Sequence, residues 1–372
     1  MRIAIDARKL RDYGIGTYIR NLLRHLARID GSTDYILIVR PEDIEIAGDL
    51  GENFRAVPDW SRGYSLREQL SIPMDLRREG VDLFHAPHYV LPPLTPCPSV
   101  VTIHDCIHLR FPQYLPSRLG YAYARGSLWM ATHRSVRVLT VSEASKRDIL
   151  TYFRIPESKV TVIYNAIDER FNEEPPSDEV MRVRERYQLN DPFILYAGNI
   201  KPHKNLERLI EAFHIIRRGE LEQVRLLIIG DEISKYATLR RTVHRYKLHK
   251  HVRFFGFVPD ATLAILYRLA RVFVFPSLYE GFGLPPLEAM ASGTPVITSN
   301  VSSLPEVVGD AAMLIDPYDP EAIAGAMRRV MTDERLRDDM RERGLAHARE
   351  FSWARSIRRV RDIYDEVLSR RH

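Results

Sequence analysis

The chain has 372 residues, of which 45% are hydrophobic and 28% are charged, and its formal net charge is +5. This composition is typical of a soluble globular protein, and the length favours two domains. Because the surplus of positive charge is small and neither half of the chain is strongly basic, the charge does not indicate a nucleic-acid-binding protein.

Two further observations narrow the class of protein. The sequence contains no apolar stretch of transmembrane length and no secretory signal, since a predicted strand follows Met1 directly. The two cysteines, Cys97 and Cys106, are too few for a disulfide framework or a zinc site of their own. We therefore expect a protein of the reducing cytoplasm.

Short apolar runs alternate with helical patterns through the first half of the chain. Strands are predicted over residues 2–7, 35–39, 81–85, 99–103, 138–141 and 160–163. Helices are predicted from Gly14-Ile15-Gly16 to residue 29 and over residues 67–79 and 143–153, and the rest of 41–80 is predicted to be irregular. Such alternation is typical of a mainly parallel sheet.

The same pattern restarts after residues 165–190, which we interpret as an interdomain linker leading into a helix. Strands are predicted over residues 193–197, 224–229, 252–255, 272–275, 295–299 and 312–315. Helices are predicted over residues 205–217, 239–246, 261–271, 320–332, 334–350 and 355–368. These two α/β halves predict two Rossmann-like domains, with a ligand cleft at the carboxyl ends of the strands.

The most informative stretch follows the strand predicted over residues 272–275. Gly281 and Gly283 supply a loop in which the backbone can approach a ligand closely. Pro285 and Pro286 suit the first turn of a helix, where no N–H is needed. Strand, glycine loop and helix start in this order favour a phosphate site, because a helix N-terminus carries unpaired N–H groups and a partial positive charge.

Two carboxylates flank this glycine loop. Glu280 precedes it, and Glu288 lies near the first turn of the helix. The reversal of the chain would bring both side chains onto one ligand. The alternative is that Glu288 only complements the helix dipole and that Glu280 is a solvated loop residue.

The stretch from Glu280 to Glu288 resembles the glutamate-x7-glutamate signature of the retaining GT-B glycosyltransferases of family 4, which include many bacterial mannosyl- and glucosyltransferases. The positions that match one by one are Glu280, Gly281, Phe282, Gly283, Leu284 and Glu288. The resemblance implies that Glu280 contacts the donor sugar, that Glu288 contacts the nucleotide ribose, and that the glycine loop holds the diphosphate. It extends over residues 1–364, and it implies that the last helix crosses back to the N-terminal domain.

The resemblance implies further site residues in the first half. His104 directly follows a predicted strand and corresponds to a histidine that contacts the donor sugar near the reacting carbon, although a lone histidine is more often structural. Gly14 and Gly16 correspond to a loop that lies over the donor phosphates. His85 and His88 are interpreted as structural or acceptor-side residues.

In the second half, Lys204 matches a lysine that the family places on the diphosphate. Asn199 stands where the family commonly has arginine, so half of that cationic pair is missing, and Lys201 or Arg8 could compensate for it. Val258 corresponds to the region in which family members hold the base, largely through backbone groups.

Residues 111–137 form a basic and aromatic stretch, in which Arg118, Arg125 and Arg134 recur among aromatic residues such as Trp129. One interpretation is an ordinary surface helix with a face toward the core. The other is a patch for a membrane surface or a lipid acceptor.

The resemblance implies a retaining, metal-independent glycosyltransferase, with an acceptor domain over residues 1–170 and 355–372 and a donor domain over 171–354. The sequence contains no Asp-x-Asp metal motif, and no cofactor is expected besides the donor substrate, a GDP- or UDP-sugar. We expect GDP-mannose as donor and a saccharide or lipid-linked acceptor, at the inner face of the membrane or free in the cytoplasm. The alternatives are a UDP-sugar-dependent glucosyl- or N-acetylglucosaminyltransferase, a sugar-nucleotide epimerase or phosphorylase of the same fold, and a non-catalytic sugar-nucleotide-binding subunit.

Overall fold

The computed structural model describes residues 1–369 except 13, 62–64, 66, 116, 220 and 231–235. Residues 370–372 of the predicted terminal segment therefore lie outside the described residues, as do Tyr13 beside the first glycine loop and Pro116 in the basic stretch. The chain divides into two compact units. Unit 1 comprises Met1–Asn165 and Ser352–His372, and unit 2 comprises Ala166–Phe351.

Within its described residues, unit 1 contains a seven-stranded parallel sheet in the order β3-β2-β1-β4-β5-β6-β7. The strands are β1 (Arg2–Asp6), β2 (Asp34–Val39), β3 (Phe54–Pro58), β4 (Leu83–Ala86), β5 (Ser99–Ile103), β6 (Arg137–Thr140) and β7 (Val160–Val162). The helices are α1 (Ile15–Ile29), α2 (Glu68–Arg78), α3 (Ile107–Arg110), α4 (Arg118–Arg134) and α5 (Glu143–Phe153). Every residue of β5 is buried, as expected for a parallel strand covered on both faces.

Strand β3 corrects the expectation that this part of residues 41–80 is irregular. Phe54–Pro58 pairs in parallel with β2 at one edge of the sheet. Of its five residues only Phe54 and Val57 are buried, and the strand ends in Pro58, which cannot donate a ladder hydrogen bond. Its apolar pattern is therefore too weak to be recognised from the sequence.

Unit 2, over the residues described, contains a six-stranded parallel sheet in the order β10-β9-β8-β11-β12-β13. The strands are β8 (Phe193–Ala197), β9 (Arg225–Ile229), β10 (Val252–Phe254), β11 (Val272–Phe275), β12 (Val296–Ser299) and β13 (Met313–Ile315). The helices are α6 (Ser177–Tyr187), α7 (Leu206–Ile216), α8 (Ala237–Arg245), α9 (Asp260–Leu269), α10 (Leu284–Ala291), α11 (Leu304–Val308), α12 (Pro320–Thr332) and α13 (Glu334–Ala348). Both sheets share the Rossmann arrangement, in which the first strand of the unit lies between the second and the fourth.

The last helix, α14 (Trp353–Ser369), packs on unit 1. Its buried residues recur on one face, and the Trp353 ring meets the edge of Tyr18 with 6.1 Å between ring centroids. The prediction that this helix returns to the N-terminal domain is confirmed. No helix in the described ranges is both long and apolar enough to span a bilayer.

His85 is held by this helix and is structural. Its Nδ1 lies 2.6 Å from the Tyr364 hydroxyl and its Nε2 lies 2.8 Å from the Thr102 hydroxyl. Burial lowers the pKa of His85 to about 3, so the ring is neutral at pH 7. Both ring nitrogens are used within the fold, which leaves neither for a substrate.

Candidate active site

Many of the predicted site residues lie on two loops of unit 2. These loops follow the two strands between which the order of strands in the sheet reverses direction. Strands β8 and β11 are parallel neighbours, and the chain turns in opposite directions along the sheet after each of them. Residues 198–205 follow β8, and residues 276–283 follow β11. In open α/β sheets, ligands bind outside the carboxyl ends of the strands at such a reversal.

Gly283 shapes the turn from this loop into α10. Its φ of 115° lies in a region that side chains other than glycine rarely adopt, and a Cβ there would lie 2.8 Å from Leu304 Cδ2. Helix α10 begins at the next residue, Leu284, and contains Pro285 and Pro286 in its first turn. Since the two prolines carry no N–H, the amides of Gly283 and Leu284 are the donors at the start of α10. They stand at the positive end of the helix dipole, where an anion is favoured.

Two serines fix the backbone of the loop, and the sequence analysis missed both. Ser302 Oγ donates to the Glu280 carbonyl at 2.7 Å, and Ser303 Oγ donates to the Phe282 carbonyl at 2.7 Å. The Glu280 N–H donates in turn to Ser302 Oγ at 3.2 Å. The only sequence signal is two hydroxyl residues just after a predicted strand, which is too common a feature to identify them.

Glu280 and Lys204 form an ion pair between the two loops. Lys204 Nζ donates to Glu280 Oε1 at 2.5 Å, and the side chains are only 10% and 13% exposed. The ammonium also lies 5.1 Å from the centroid of the Phe275 ring. Thus the residue expected on the diphosphate and the residue expected on the sugar hold each other in place. Charge-assisted hydrogen bonds of this kind are the strong ones, and they orient both groups.

Asn199 provides no positive charge. Its Oδ1 is buried and has no hydrogen-bond partner among the described residues, and its carbonyl accepts from the Tyr196 hydroxyl at 3.1 Å. Lys201, three residues before Lys204, is exposed. Arg8, the other candidate, forms ion pairs within unit 1 with Asp6, Asp59 and Glu68.

Glu288 lies one turn into α10 and is paired with a residue that the sequence analysis missed. The Tyr267 hydroxyl, on α9, donates to Glu288 Oε2 at 3.2 Å. Burial raises the pKa of Glu288 to about 7, and the nearby Asp260 and Asp168 add to this effect, whereas the Tyr267 hydrogen bond opposes it. The carboxyl group therefore changes its charge close to neutral pH.

Val258 lies in the loop after β10. Its side chain is buried, so it can offer a ligand only backbone groups, and the contact to a base stays a prediction. The preceding Gly256 has φ 65°, and its carbonyl accepts from the Gly230 N–H at 3.1 Å. Phe257, between them, is 71% exposed.

In unit 1, His104 follows β5 and is held as a neutral ring. Its Nε2 lies 3.0 Å from the Pro87 carbonyl, which can only accept, so Nε2 carries the proton and Nδ1 carries a lone pair. Burial lowers the pKa of His104 to about 4, although the hydrogen bond to Pro87 opposes this shift. The Tyr18 ring stands edge-on to the imidazole at 5.0 Å between centroids and fixes its orientation.

The first glycine loop begins α1 in unit 1. Gly14 precedes the helix with φ 56°, and the Gly16 N–H donates to the Asp12 carbonyl at 2.8 Å. A Cβ at Gly16 would lie 2.4 Å from the Leu10 carbonyl oxygen, so this position requires glycine. The sharp turn into α1 therefore explains Gly16 without any ligand.

Comparisons with known proteins identify the family. Residues 177–347 match the model described as "Glycosyl transferases group 1", and residues 13–171 match "Glycosyltransferase Family 4". The O-antigen chain mannosyltransferase B of Escherichia coli is 36% identical over 272 residues, which are 73% of this chain and 71% of that protein.

Two solved structures share the fold over nearly their whole length. Sucrose-phosphate synthase from Thermosynechococcus elongatus superposes with a TM-score of 0.80 at 22% identity and covers 99% of each chain. Anabaena HepE in complex with UDP and glucose gives a TM-score of 0.78 at 18% identity, over 98% of this chain and 100% of that chain. By its family models, its mannosyltransferase relative and its fold, the chain belongs to the family 4 glycosyltransferases of GT-B type.

Proposed function

We propose that this enzyme is a retaining glycosyltransferase that moves mannose from GDP-mannose to a saccharide or lipid-linked acceptor. The observation that carries the proposal is the buried Lys204–Glu280 pair at the strand reversal of unit 2, beside the start of α10. A cation, a helix N-terminus and a carboxylate in one place suit the diphosphate and the sugar of one nucleotide-sugar molecule.

The chemistry needs stabilisation of a leaving group. The bond between the anomeric carbon and the diphosphate breaks, the electron pair stays on the phosphate oxygen, and the acceptor hydroxyl oxygen bonds to the same face of the sugar. The leaving phosphate oxygen takes the proton of that hydroxyl. Lys204 and the first amides of α10 stabilise the negative charge that develops on the diphosphate. The neutral His104 offers a lone pair on Nδ1 for a sugar hydroxyl.

Metal-independence forms part of the proposal. The negative charge of a nucleotide diphosphate needs partners, and Lys204 and the start of α10 supply them without a metal ion. No group of three or more His, Cys, Asp or Glu side chains that could hold a metal ion occurs within the described ranges. The experiment in excess EDTA, given below, tests this part.

Mannose is favoured as the donor sugar by the relative named above, an O-antigen chain mannosyltransferase. A UDP-sugar is the second candidate. A thermal-shift panel of GDP-, UDP- and ADP-sugars tests the choice, because a ligand that binds only the folded chain raises its apparent stability. We expect GDP-mannose to give the largest shift. A larger shift with a UDP-sugar would overturn the assignment of the donor, and no shift with any nucleotide would count against the whole proposal.

We also propose that α4 rests on an anionic membrane surface on the cytoplasmic side. Leu119, Tyr123 and Trp129 on this helix are exposed, Leu119 to 81%. Arg118 and Arg125 are exposed beside them, and the sequence has no acidic residue from 106 to 142. An apolar and aromatic face flanked by arginines is the pattern of helices that lie in the headgroup region.

Cosedimentation with vesicles tests this contact. The chain should bind vesicles that contain phosphatidylglycerol and not vesicles of phosphatidylcholine alone, and Leu119→Glu should reduce that binding. Met181→Glu is the matched control, because Met181 on α6 of unit 2 is also apolar and exposed, to 61%. Equal binding of wild type and Leu119→Glu would refute the contact.

A further inference from the structure

A chain of hydrogen bonds crosses the buried interior of unit 1, from α14 to the neighbourhood of His104. It begins at the Tyr364 hydroxyl, which lies 2.6 Å from His85 Nδ1. It continues from His85 Nε2 to the Thr102 hydroxyl at 2.8 Å, and from there to the Tyr18 hydroxyl at 3.3 Å. The hydrogen bonds thus join α14, β4, β5 and α1, which are far apart in the sequence.

The four side chains of this chain are enclosed by the fold. Tyr18, His85, Thr102 and Tyr364 are each at most 1% exposed, so none of the links faces bulk water. Burial raises the pKa of Tyr18 to about 12 and the pKa of Tyr364 well above its usual range. Both hydroxyls therefore keep their protons at pH 7. A buried polar group that loses its partner costs free energy, so each link depends on the next one.

The neutral ring of His85 couples the links to one another. A neutral imidazole has one nitrogen that donates and one that accepts. If the Tyr364 hydroxyl donates to Nδ1, then Nε2 donates to Thr102, and if Nδ1 donates to Tyr364, then Thr102 donates to Nε2. Loss of the Tyr364 hydroxyl therefore releases the tautomer of His85 and, through it, the hydrogen bond of Thr102.

Two contacts of His104 lead to this chain. The Tyr18 ring stands edge-on to the imidazole, with 5.0 Å between the centroids. The Pro87 carbonyl accepts from His104 Nε2 at 3.0 Å, and Pro87 follows β4, two residues after His85. Thr102 lies on β5, two residues before His104. The orientation of the His104 ring therefore depends on groups that are anchored to α14.

Helix α14 does not need a polar group at position 364 in order to pack on unit 1. The other buried residues of the helix are Trp353, Ile357, Val360, Ile363 and Val367. Replacing buried polar groups by apolar ones of similar volume is often neutral or stabilising. A satisfied network of buried polar groups instead makes its surroundings rigid and fixes one arrangement of them. The Tyr364 hydroxyl is thus better explained by orientation than by stability.

We propose that Tyr364, His85 and Thr102 are positioning residues of the transfer reaction. They hold the Tyr18 ring and the end of β4, and through these they hold His104 with its Nδ1 lone pair toward a sugar hydroxyl. This inference rests on the proposed function, since it takes His104 to act on the donor sugar. A small displacement of a group that acts in the transition state lowers the rate of reaction, so the terminal helix affects catalysis through His104.

Steady-state kinetics of Tyr364→Phe and Thr102→Val test the effect on the reaction. Each substitution removes one hydroxyl and nearly keeps the shape of the side chain. Each should lower kcat about three- to tenfold, as expected for the loss of one hydrogen bond, while the donor KM stays within about twofold. The double variant should lose little more than the weaker single variant, because both changes break the same chain.

Tyr35→Phe is the matched control. Tyr35 is fully buried in unit 1, and its hydroxyl donates to Asp30 Oδ2 at 3.0 Å. Asp30 also accepts from Arg361 Nε on α14. The control therefore removes a buried tyrosine hydroxyl that is linked to the same helix but lies outside the chain to His104. Its kcat should stay within about twofold of wild type.

NMR of the ligand-free chain shows whether the His104 ring itself is affected. Its ring ¹⁵N signals are assigned by their loss in His104→Ala, and in wild type they should show the proton on Nε2. In Tyr364→Phe and Thr102→Val they should shift toward the averaged values of a ring that exchanges between its tautomers. In Tyr35→Phe they should not change. Because no donor is present, this measurement is independent of the proposed function.

Three results would each overturn the positioning role. They are unchanged His104 signals in the folded variants, an equal loss of kcat in Tyr35→Phe, and additive losses in the double variant. If one of the two variants does not fold, the other still allows both measurements. If wild type transfers no sugar, the proposed function fails, and the NMR comparison still decides whether this chain of hydrogen bonds orients His104.

Discussion

The substitution Glu288→Gln should stabilise the ligand-free chain above pH 7 and remove part of its pH dependence. The carboxyl group of Glu288 is half-buried beside Tyr267, and its pKa is raised from 4.5 to about 7. Burial disfavours the charged form, so the folded state holds the proton more tightly than the unfolded state does. Glutamine keeps the shape and a hydrogen-bond acceptor for the Tyr267 hydroxyl but carries no charge.

The sign and size follow from the two pKa values. Below pH 4.5 the group is protonated in both states and has no effect on stability. Between pH 4.5 and about 7 the unfolded chain ionises first, so the free energy of unfolding falls as the pH rises, and above about 7 the loss is complete. Between about pH 5 and about pH 8.5 the free energy of unfolding falls by about 2.5 kcal/mol, since one pKa unit corresponds to 1.36 kcal/mol. This is most of the effect of the whole shift, and part of the remainder falls below pH 5.

Urea unfolding at these two pH values measures the effect. The three tryptophans, Trp60, Trp129 and Trp353, all lie in unit 1, so their fluorescence reports on that unit and serves as an internal control. Far-UV circular dichroism reports on both units. We expect the free energy of unfolding of the variant to exceed that of wild type by more at about pH 8.5 than at about pH 5. This gain should appear in the dichroism transition of unit 2 and not in the tryptophan fluorescence of unit 1. A difference between variant and wild type that is the same at both pH values would refute the reasoning.

The remaining predictions concern the transfer reaction. Lys204→Ala should weaken nucleotide diphosphate binding by about ten- to a hundredfold, because a charge-assisted hydrogen bond is lost. Adding Asn199→Arg to this variant should restore part of the lost affinity. If calorimetric titration gives Lys204→Ala an affinity within twofold of wild type, the phosphate site lies elsewhere. Glu280→Ala should weaken binding of the intact nucleotide-sugar more than binding of the free nucleotide, and equal losses in calorimetry would contradict its assignment to the sugar. His104→Ala should lower kcat more than it raises the donor KM, and the reverse result in steady-state kinetics would contradict an action in the transition state. Activity should persist in excess EDTA, and a complete loss that added Mn²⁺ restores would show that a metal takes part.

The sequence predicted those features of the fold that depend on local pattern. Strand β11 is recognisable because Val272–Phe275 are four consecutive apolar residues, and all four are fully buried. The turn into α10 is recognisable because glycine and proline restrict the backbone in known ways. Strand β3 was missed because an edge strand with two buried residues carries almost no pattern.

Contacts between distant residues could not be predicted in this way. Lys204 and Glu280 are 76 residues apart in the sequence, and their pairing depends on β8 and β11 being neighbours in the sheet. The same holds for Ser302 and Ser303 against the loop, and for Tyr267 against Glu288. Arg8 was a candidate for the diphosphate only because the sequence does not show that three carboxylates surround it.

The most direct test of the account is the anomeric configuration of the product formed from GDP-mannose. The chain is incubated with GDP-mannose and a mannose-terminated oligosaccharide in EDTA, and the one-bond carbon–proton coupling of the new anomeric centre is measured by NMR. We predict a new α-linked mannose, because the α-configured donor bond is replaced on the same face of the sugar. A β-linked product would contradict retention, and no transfer from GDP-mannose or from any UDP-sugar would contradict the assignment of the site in unit 2.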